Sequence, residues 1–318
     1  MASTEPDHDA LLALLPQTKL GAVTRIESLT AGLSGAQVYA VTTASGHYVL
    51  RIQARQLDAG YFAQQLRILR RASAAGLAPA LVHVDEAARA TVSVRIAGQP
   101  LGVALADPQQ RGAVLGAVVG RLSQLHQLDT SEVEPRDPMP FVRAAYEAAR
   151  FRPGYPPWAA ALEPLLDELS LSLEGDARRV ICHNDVNPGN VLWDGSQPWL
   201  VDWEVAGLGH PHYDLATLAT FLQLDERALF ELAALHDGAV LDASARARLL
   251  GLRRLVGLLT GLTFLGLVDD LNVRPCVTRQ AAPSLGDCYA ALRRGEYSMR
   301  SPYGAASMGL ALLALGCG

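Results

Sequence analysis

At 318 residues, with 50% hydrophobic and 19% charged side chains, the chain is long enough for two cores and has the composition of an ordinary soluble enzyme. Its net charge of -5 offers no basic surface suited to nucleic acid, so no nucleic-acid partner is expected. Cys182, Cys276, Cys288 and Cys317 show neither metal-ligand spacing nor a dense disulfide framework, which leads us to expect reduced thiols and a cytoplasmic protein.

The stretch Met1 to Pro16 carries Glu5, Asp7 and Asp9 ahead of its apolar residues and lacks the positive region of a secretory signal. Val23 to Leu29, Gln37 to Thr42 and His47 to Ile52 read as strands, and Ala44-Ser45-Gly46 makes a hairpin turn between the last two. Between the first two lies Thr30-Ala31-Gly32-Leu33-Ser34-Gly35-Ala36, whose small residues let backbone N–H groups approach a phosphate. Ser34 adds a hydroxyl donor and Gly35 the needed freedom, although the same residues also suit a plain hairpin turn. Apolar residues at helical spacing, Phe62, Leu66 and Leu69, predict a helix from about Ala59 to Ala75 that ends at Gly76. Thr91 to Ile96 reads as a strand and Ala97-Gly98-Gln99-Pro100 as a break, where a hinge between two lobes is expected. The chain therefore divides into a smaller sheet-rich lobe, residues 1–97, and a larger helical one, residues 98–318.

Helical patterns follow at Arg111 to Leu125, Phe141 to Ala149, Trp158 to Ser170, Leu215 to Leu224, Arg227 to Leu235 and Ala243 to Val268. His126, at a helix end, reads as a packed structural histidine and not as an acid or base. The apolar run Leu255 to Val268 is shorter than a bilayer needs and reads as a buried helix, so no membrane partner is expected. Gly309 to Gly318 is a docked or frayed apolar tail.

The richest signal lies between these helices. Val180-Ile181-Cys182 is a buried-strand run that ends in His183-Asn184-Asp185, Pro188-Gly189 turns the chain, and Asn190-Val191-Leu192-Trp193 resumes a strand. After the Asp194-Gly195 turn, Trp199-Leu200-Val201 delivers Asp202. Phosphoryl transfer needs one carboxylate to take the proton of an attacking hydroxyl, and a second carboxylate with an amide oxygen to hold Mg2+. Asp185, Asp202 and Asn190 fit those roles in that order. Any one of these residues alone reads more simply as a turn or a cap; their joint order, continued by His212-Tyr213-Asp214-Leu215-Ala216, carries the functional reading.

His183 to Asn190, Leu200-Val201-Asp202-Trp203-Glu204 and Tyr213-Asp214-Leu215-Ala216 together resemble the signature of the aminoglycoside phosphotransferase and choline kinase superfamily. The resemblance is sharpest over residues 181–216 and weakens away from them. It implies an α+β, bilobal protein-kinase-like fold: a small antiparallel β-sheet N-lobe and a larger, mainly helical C-lobe. It also implies ATP or GTP and Mg2+ as cofactors, Asp185 as catalytic base, Asn190 and Asp202 as metal ligands, and His183 and Asp214 as architects of the loop. By the same resemblance the Ser34–Gly35 loop meets the nucleotide phosphates, and backbone groups near Val94 to Ile96 meet the adenine.

A protein kinase grips the phosphates with a lysine on the third strand, paired with a glutamate on the next helix. Lys19 is the only lysine here and precedes the phosphate loop, so that cation is Arg51. Gln65, or Gln64, stands where the glutamate belongs, with Asp58 as another candidate partner. The short run between Asp202 and His212, and the missing G-x-G-x-x-G-x-V loop, argue against a peptide acceptor.

The acceptor is accordingly a small hydroxylated molecule. Glu204 is the candidate to meet a cationic group on it, with a fold-stabilising carboxylate as the other reading. A choline- or ethanolamine-type amino alcohol is the leading expectation, with aminoglycoside or thiamine next. Trp193, Trp203, Tyr213, Phe221 and Phe264 are available for an aromatic cage, and Asp225, Glu226, Asp269 and Asp270 for an acidic rim, although helix capping suits those acids better. The rival from another class is a nucleotide-binding regulatory protein without catalysis. Oligomeric state is not legible.

Overall fold

The computed structural model describes residues 8–29, 35–54, 59–174 and 177–318. Ser34 and Asp58 lie outside the described residues. By contacts the chain forms two units, residues 1–134 with 189–207, and residues 135–188 with 208–318.

The first unit is built on five strands: β1 (Val23–Leu29), β2 (Gln37–Thr43), β3 (Gly46–Ile52), β4 (Leu81–Asp85) and β5 (Ala90–Val94). They form one sheet in the order β1-β2-β3-β5-β4, with each pair antiparallel. Side chains alternate faces along a strand, so the burial of Leu50, with Tyr48 and Ile52 packed beside it, sends Arg51 to the opposite face. Leu50 joins Leu11, Leu15, Leu20, Tyr39, Val41, Ala90 and Val92 in a core that the short helices His8–Ala13 and Gln17–Leu20 help to cover.

The helix Ala59–Ala74 buries Phe62, Gln65, Leu66, Ile68 and Ala72. Leu69, expected in that stripe, is half-buried. Gly76 closes the helix at φ +70, a conformation a β-carbon disfavours, which lets Leu77 and Ala78 turn back to donate to the Ala72 carbonyl.

Gln99–Pro100, read as part of a break, is a short strand that pairs with Val191–Trp193, which in turn pairs with Pro198–Leu200. Leu200 N also donates to the Leu77 carbonyl. These bonds, with the helix Arg111–Leu125 packed beside Pro198–Leu200, assign residues 98–134 and 189–207 to the first unit. The observed division thus differs from the sequence-based break after residue 97.

The second unit is mainly helical: Pro138–Ala149, Glu163–Leu173, Pro211–Phe221, Glu226–Asp237, Ala243–Gly266, Leu285–Arg293 and Pro302–Gly316. Their starts are legible chemistry. Asp137, Asp225, Asp242 and Ser301 each accept a bond from a backbone N–H of the first turn, and Ser284 with Asp287 completes a capping box. Asp225 is therefore a cap, as is Asp270 for the 3-10 turn Leu271–Val273.

Ala243–Gly266 is long and apolar enough to cross a membrane, yet 61% of its apolar window is buried against its neighbours, as in a core helix. It meets Pro302–Gly316 through glycines: a β-carbon at Gly261 would lie 2.6 Å from Leu313 N, and one at Gly316 would lie 2.6 Å from Leu258 N. The expected apolar tail is thus most of a buried helix, with Ala305 to Leu313 inside the core.

Candidate active site

In the second unit, the strand Val180–Cys182 buries Ile181 and Cys182 completely. His183 and Val186 are also fully buried and anchor the segment that leaves the strand. Asp214, in the first turn of Pro211–Phe221 and with no exposed surface, takes two backbone donors from this segment: His183 N at 2.9 Å and Asn184 N at 2.7 Å. A carboxylate in that turn is favoured by the helix N-terminus, and charge-assisted bonds to amides are the strong kind.

Asn184 sits at φ +63, a conformation Asn tolerates better than most residues, and this bends the chain into Asp185. Asp185 is half-buried, and its Oδ1 accepts a bond from Asn187 Nδ2 at 2.9 Å. Burial, with the charges of Asp185 and Asp214 behind it, pushes the Tyr213 hydroxyl well above its ordinary pKa and keeps it protonated. The Cys182 thiol is raised well above its ordinary value for the same first reason, with Asp214 next.

A cavity of about 700 Å3 opens within this unit beside Asn184, His210 and Tyr213, with Arg136, Arg179 and Arg248 on its wall. Asp137 and Glu174 are the acids that line it, and Asp137 already caps a helix. Among the aromatic cage candidates, Tyr213, Trp203 and Phe264 are all buried side chains, and Tyr213 lies on this wall. No sequence signal pointed to the cavity, because its arginines are spread over more than a hundred residues of chain.

In the first unit, Val201 N donates to the Asn190 carbonyl, which sets Asn190 beside the end of the strand that carries Asp202. Asp202 adopts φ +64, and Trp203 is buried with its Nε1 donating to Leu200 O. A strained acid at a strand end is a common mark of a functional position. Arg51 Nη2 lies 2.9 Å from Asp202 Oδ1 and 2.5 Å from Glu204 Oε2. The contact with Asp202 lacks hydrogen-bond geometry, so Asp202 Oδ1 is buried without a hydrogen bond. A carboxylate oxygen in that state, at the strand end beside which Asn190 is tied by its backbone, suits a hard cation such as Mg2+.

Tyr61 and Gln65, four residues apart and so on one helix face, both donate from their side chains to the Glu204 carbonyl. Gln65 in turn accepts a bond from Gln53 Nε2 at 3.1 Å. Gly35 has φ +75 and open space where a β-carbon would stand. Val94 ends β5, and Ile96 lies beyond it; both are half-buried. His126 is buried at the end of its helix. The Arg51–Glu204 pair, 153 residues apart, has no local sequence signature.

Residues 25–251 match the family model described as "Phosphotransferase enzyme family". Among curated proteins, Protein LicA of Haemophilus influenzae is 38% identical over 47 residues, which is 15% of this chain and 18% of that protein. The chain thus matches under a fifth of the length of that relative. Among solved structures, a choline/ethanolamine kinase family protein from Mesorhizobium loti superposes with a TM-score of 0.66 at 23% identity, covering 94% of this chain and 97% of that one. Choline kinase LicA from Streptococcus pneumoniae gives a TM-score of 0.64 at 17% identity, covering 96% and 99%. At these identities the likeness establishes the fold, and that fold is the bilobal α+β one expected from the sequence.

Proposed function

Because the chain belongs to the phosphotransferase enzyme family, we propose that it moves the γ-phosphate of ATP or GTP to a hydroxyl of a small molecule. The observation that carries this reading is the loop fixed by Asp214. Two amides bound by one buried carboxylate set the backbone immediately before Asp185, which a positioned general base requires. In the proposed reaction Asp185 orients the acceptor hydroxyl and takes its proton, while Asn187 keeps the carboxylate in one rotamer. Arg51, with the Ser34–Gly35 loop, binds phosphate oxygens, and backbone groups at Val94 to Ile96 meet the base. Asn190 and Asp202 would hold Mg2+, which when bound neutralises the charge of the nucleotide phosphates.

For the acceptor, the proposal is a choline- or ethanolamine-type amino alcohol, supported by the names of the relatives. Aminoglycoside and thiamine are the alternatives within the cationic class. One observation favours a second reading: the cavity beside Asn184 has Arg136, Arg179 and Arg248 on its wall, and the Glu204 carboxylate is engaged by Arg51. An acceptor that carries a carboxylate next to its hydroxyl-bearing carbon chain, such as homoserine, suits those arginines.

Mg2+-dependent ADP release measured with choline, ethanolamine, thiamine, an aminoglycoside and homoserine tests the choice. Turnover with a cation alone supports the first reading; turnover with homoserine alone supports the second. Nucleotide binding without turnover on any acceptor supports the rival, a non-catalytic nucleotide-binding protein.

A further inference from the structure

A glutamate on the helix after the third strand is missing from this chain, and the structure shows what surrounds the cation in its place. The register of β3 puts Arg51 opposite Val38 and Thr91, on the face away from Leu50. Its guanidinium reaches two carboxylates two residues apart, Asp202 and Glu204, with the buried Trp203 between them. The arginine and both acids retain between 19% and 24% of their side-chain exposure, so the contacts are partly shielded from solvent. Arginine presents several donors in one plane and can hold two anions at once, where a lysine ammonium acts as a single point.

The helix has not lost its part; it has changed what it holds. Gln65 is buried, and both ends of its amide are used: Nε2 donates to the Glu204 carbonyl, and Oε1 accepts from Gln53. A glutamate at this position would have no donor for that carbonyl and would add a like charge beside Glu204. Tyr61, one turn earlier, donates to the same carbonyl. Two side chains of Ala59–Ala74 thus fix the backbone of Glu204, and Glu204 fixes Arg51.

We infer that Glu204 is the positioning residue for Arg51, supplying from beyond Asp202 the carboxylate that the helix lacks, with Gln65 and Tyr61 as its backbone supports. The assignment rests on the phosphotransferase reading above. It makes the two acids unequal. If Asp202 turns its oxygens to a metal ion, Arg51 keeps Glu204 as its anchor, and the guanidinium stays directed at the phosphate site. Glu204 is then neither a metal ligand nor the anchor for a cationic acceptor.

The test separates these roles by binding metal-free nucleotide. Glu204→Gln and Glu204→Asp are compared with the unaltered protein by calorimetry with ATP in EDTA, and by steady-state kinetics in ATP, acceptor and Mg2+. Glu204→Gln is expected to weaken metal-free ATP binding and raise the ATP KM by about tenfold, a size suited to a partly exposed charge pair. The acceptor KM and the Mg2+ concentration for half-activation stay unchanged, and Glu204→Asp recovers part of the ATP affinity. Gln65→Leu, which keeps the charge pair but frees the Glu204 backbone, shifts the ATP KM in the same direction by less.

Unchanged metal-free ATP binding with a raised Mg2+ requirement overturns the assignment in favour of a metal ligand. A raised acceptor KM alone overturns it in favour of an acceptor anchor. Failure of the unaltered protein to bind either ATP or GTP, with or without Mg2+, overturns both this assignment and the phosphotransferase reading, and so is distinguishable from the two outcomes above.

Discussion

The loop around Asp185 and the cluster around Arg51 are both organised by carboxylates, but by opposite means. Asp214 is fully buried and holds the backbone amides of His183 and Asn184 through both of its carboxylate oxygens. Asp202 and Glu204 are part-exposed and hold a guanidinium, the first by a charge contact alone and the second by a hydrogen-bonded pair, contacts that can be traded for bonds to phosphate. A base that must stay in one place suits the first kind of support; a grip that must open and close on a ligand suits the second. The cost of removing a carboxylate should therefore differ between the two regions in kind as well as in size.

The largest effect expected is on turnover. Asp185→Ala should lower kcat by about 10³-fold, within the range for a positioned general base, while ATP binding measured by calorimetry stays near that of the unaltered protein. Survival of full activity would remove Asp185 as the base.

Next comes stability. Asp214→Ala leaves two backbone amides, the buried His183 N and the part-buried Asn184 N, without this acceptor, at about 3 kcal/mol in total. For a unit of this size that is roughly a 10 °C fall in Tm. The comparison breaks if Asp214→Ala melts at the same temperature as Glu204→Gln, because the latter removes only an exchangeable pair and should move Tm little.

The smallest effect concerns pH. His212 is held below its ordinary pKa of 6.5, chiefly by burial, which outweighs the attraction of Asp237 at 2.9 Å; Arg178 and His236 add to the lowering. The folded chain then binds fewer protons than the unfolded chain as pH drops below 6.5, so this contribution is complete above that value and is lost as pH falls through the lowered folded pKa. Asp237, itself held below its ordinary 3.8, changes charge only at lower pH. Thermal melts between pH 7 and 5.5 should show a decline in Tm that His212→Asn reduces. ATP affinity over the same interval should not follow it if the two regions are as separate as their supports suggest.

What was legible in the sequence was local. Alternation and turn residues placed β1, β2 and β3 within a residue or so, because a half-buried strand writes its two faces into its residue order. The same holds for the tight loops that carry Asp185, Asn190 and Asp202, each bounded by Pro, Gly or Asn. Helix starts were read less well: Trp158 to Ser170 is a 3-10 turn followed by Glu163–Leu173, since Pro157 and Pro164 each suit the start of a separate helical segment. Leu81–Asp85, an edge strand with every residue half-buried, carries no alternation and was not anticipated.

Glu204 illustrates the limit best. Its position two residues after Asp202 marked it as either an acceptor contact or a fold-stabilising carboxylate, but nothing in residue order tells which charge it faces. That is decided by the pairing of β3 with its neighbours and by Gln65 and Tyr61 on a distant helix. The apolar segment 309–318 was ambiguous for a related reason: composition shows that it must be covered, while the glycines at 257 and 261 that accept it lie some fifty residues earlier.

The interleaving of the two units in sequence has a consequence for synthesis. Strands β1 to β5 are complete once residue 94 has left the ribosome, yet Val191–Trp193 and Pro198–Leu200 belong to the same unit and follow about a hundred residues later. At roughly 5–20 residues per second, Arg51 waits about 8–30 s for Asp202 and Glu204. During that interval the nascent sheet holds Arg51 without either of these carboxylates. The helix Pro302–Gly316, whose glycines lock against Ala243–Gly266, arrives later still, so the core of the second unit closes only near the end of translation.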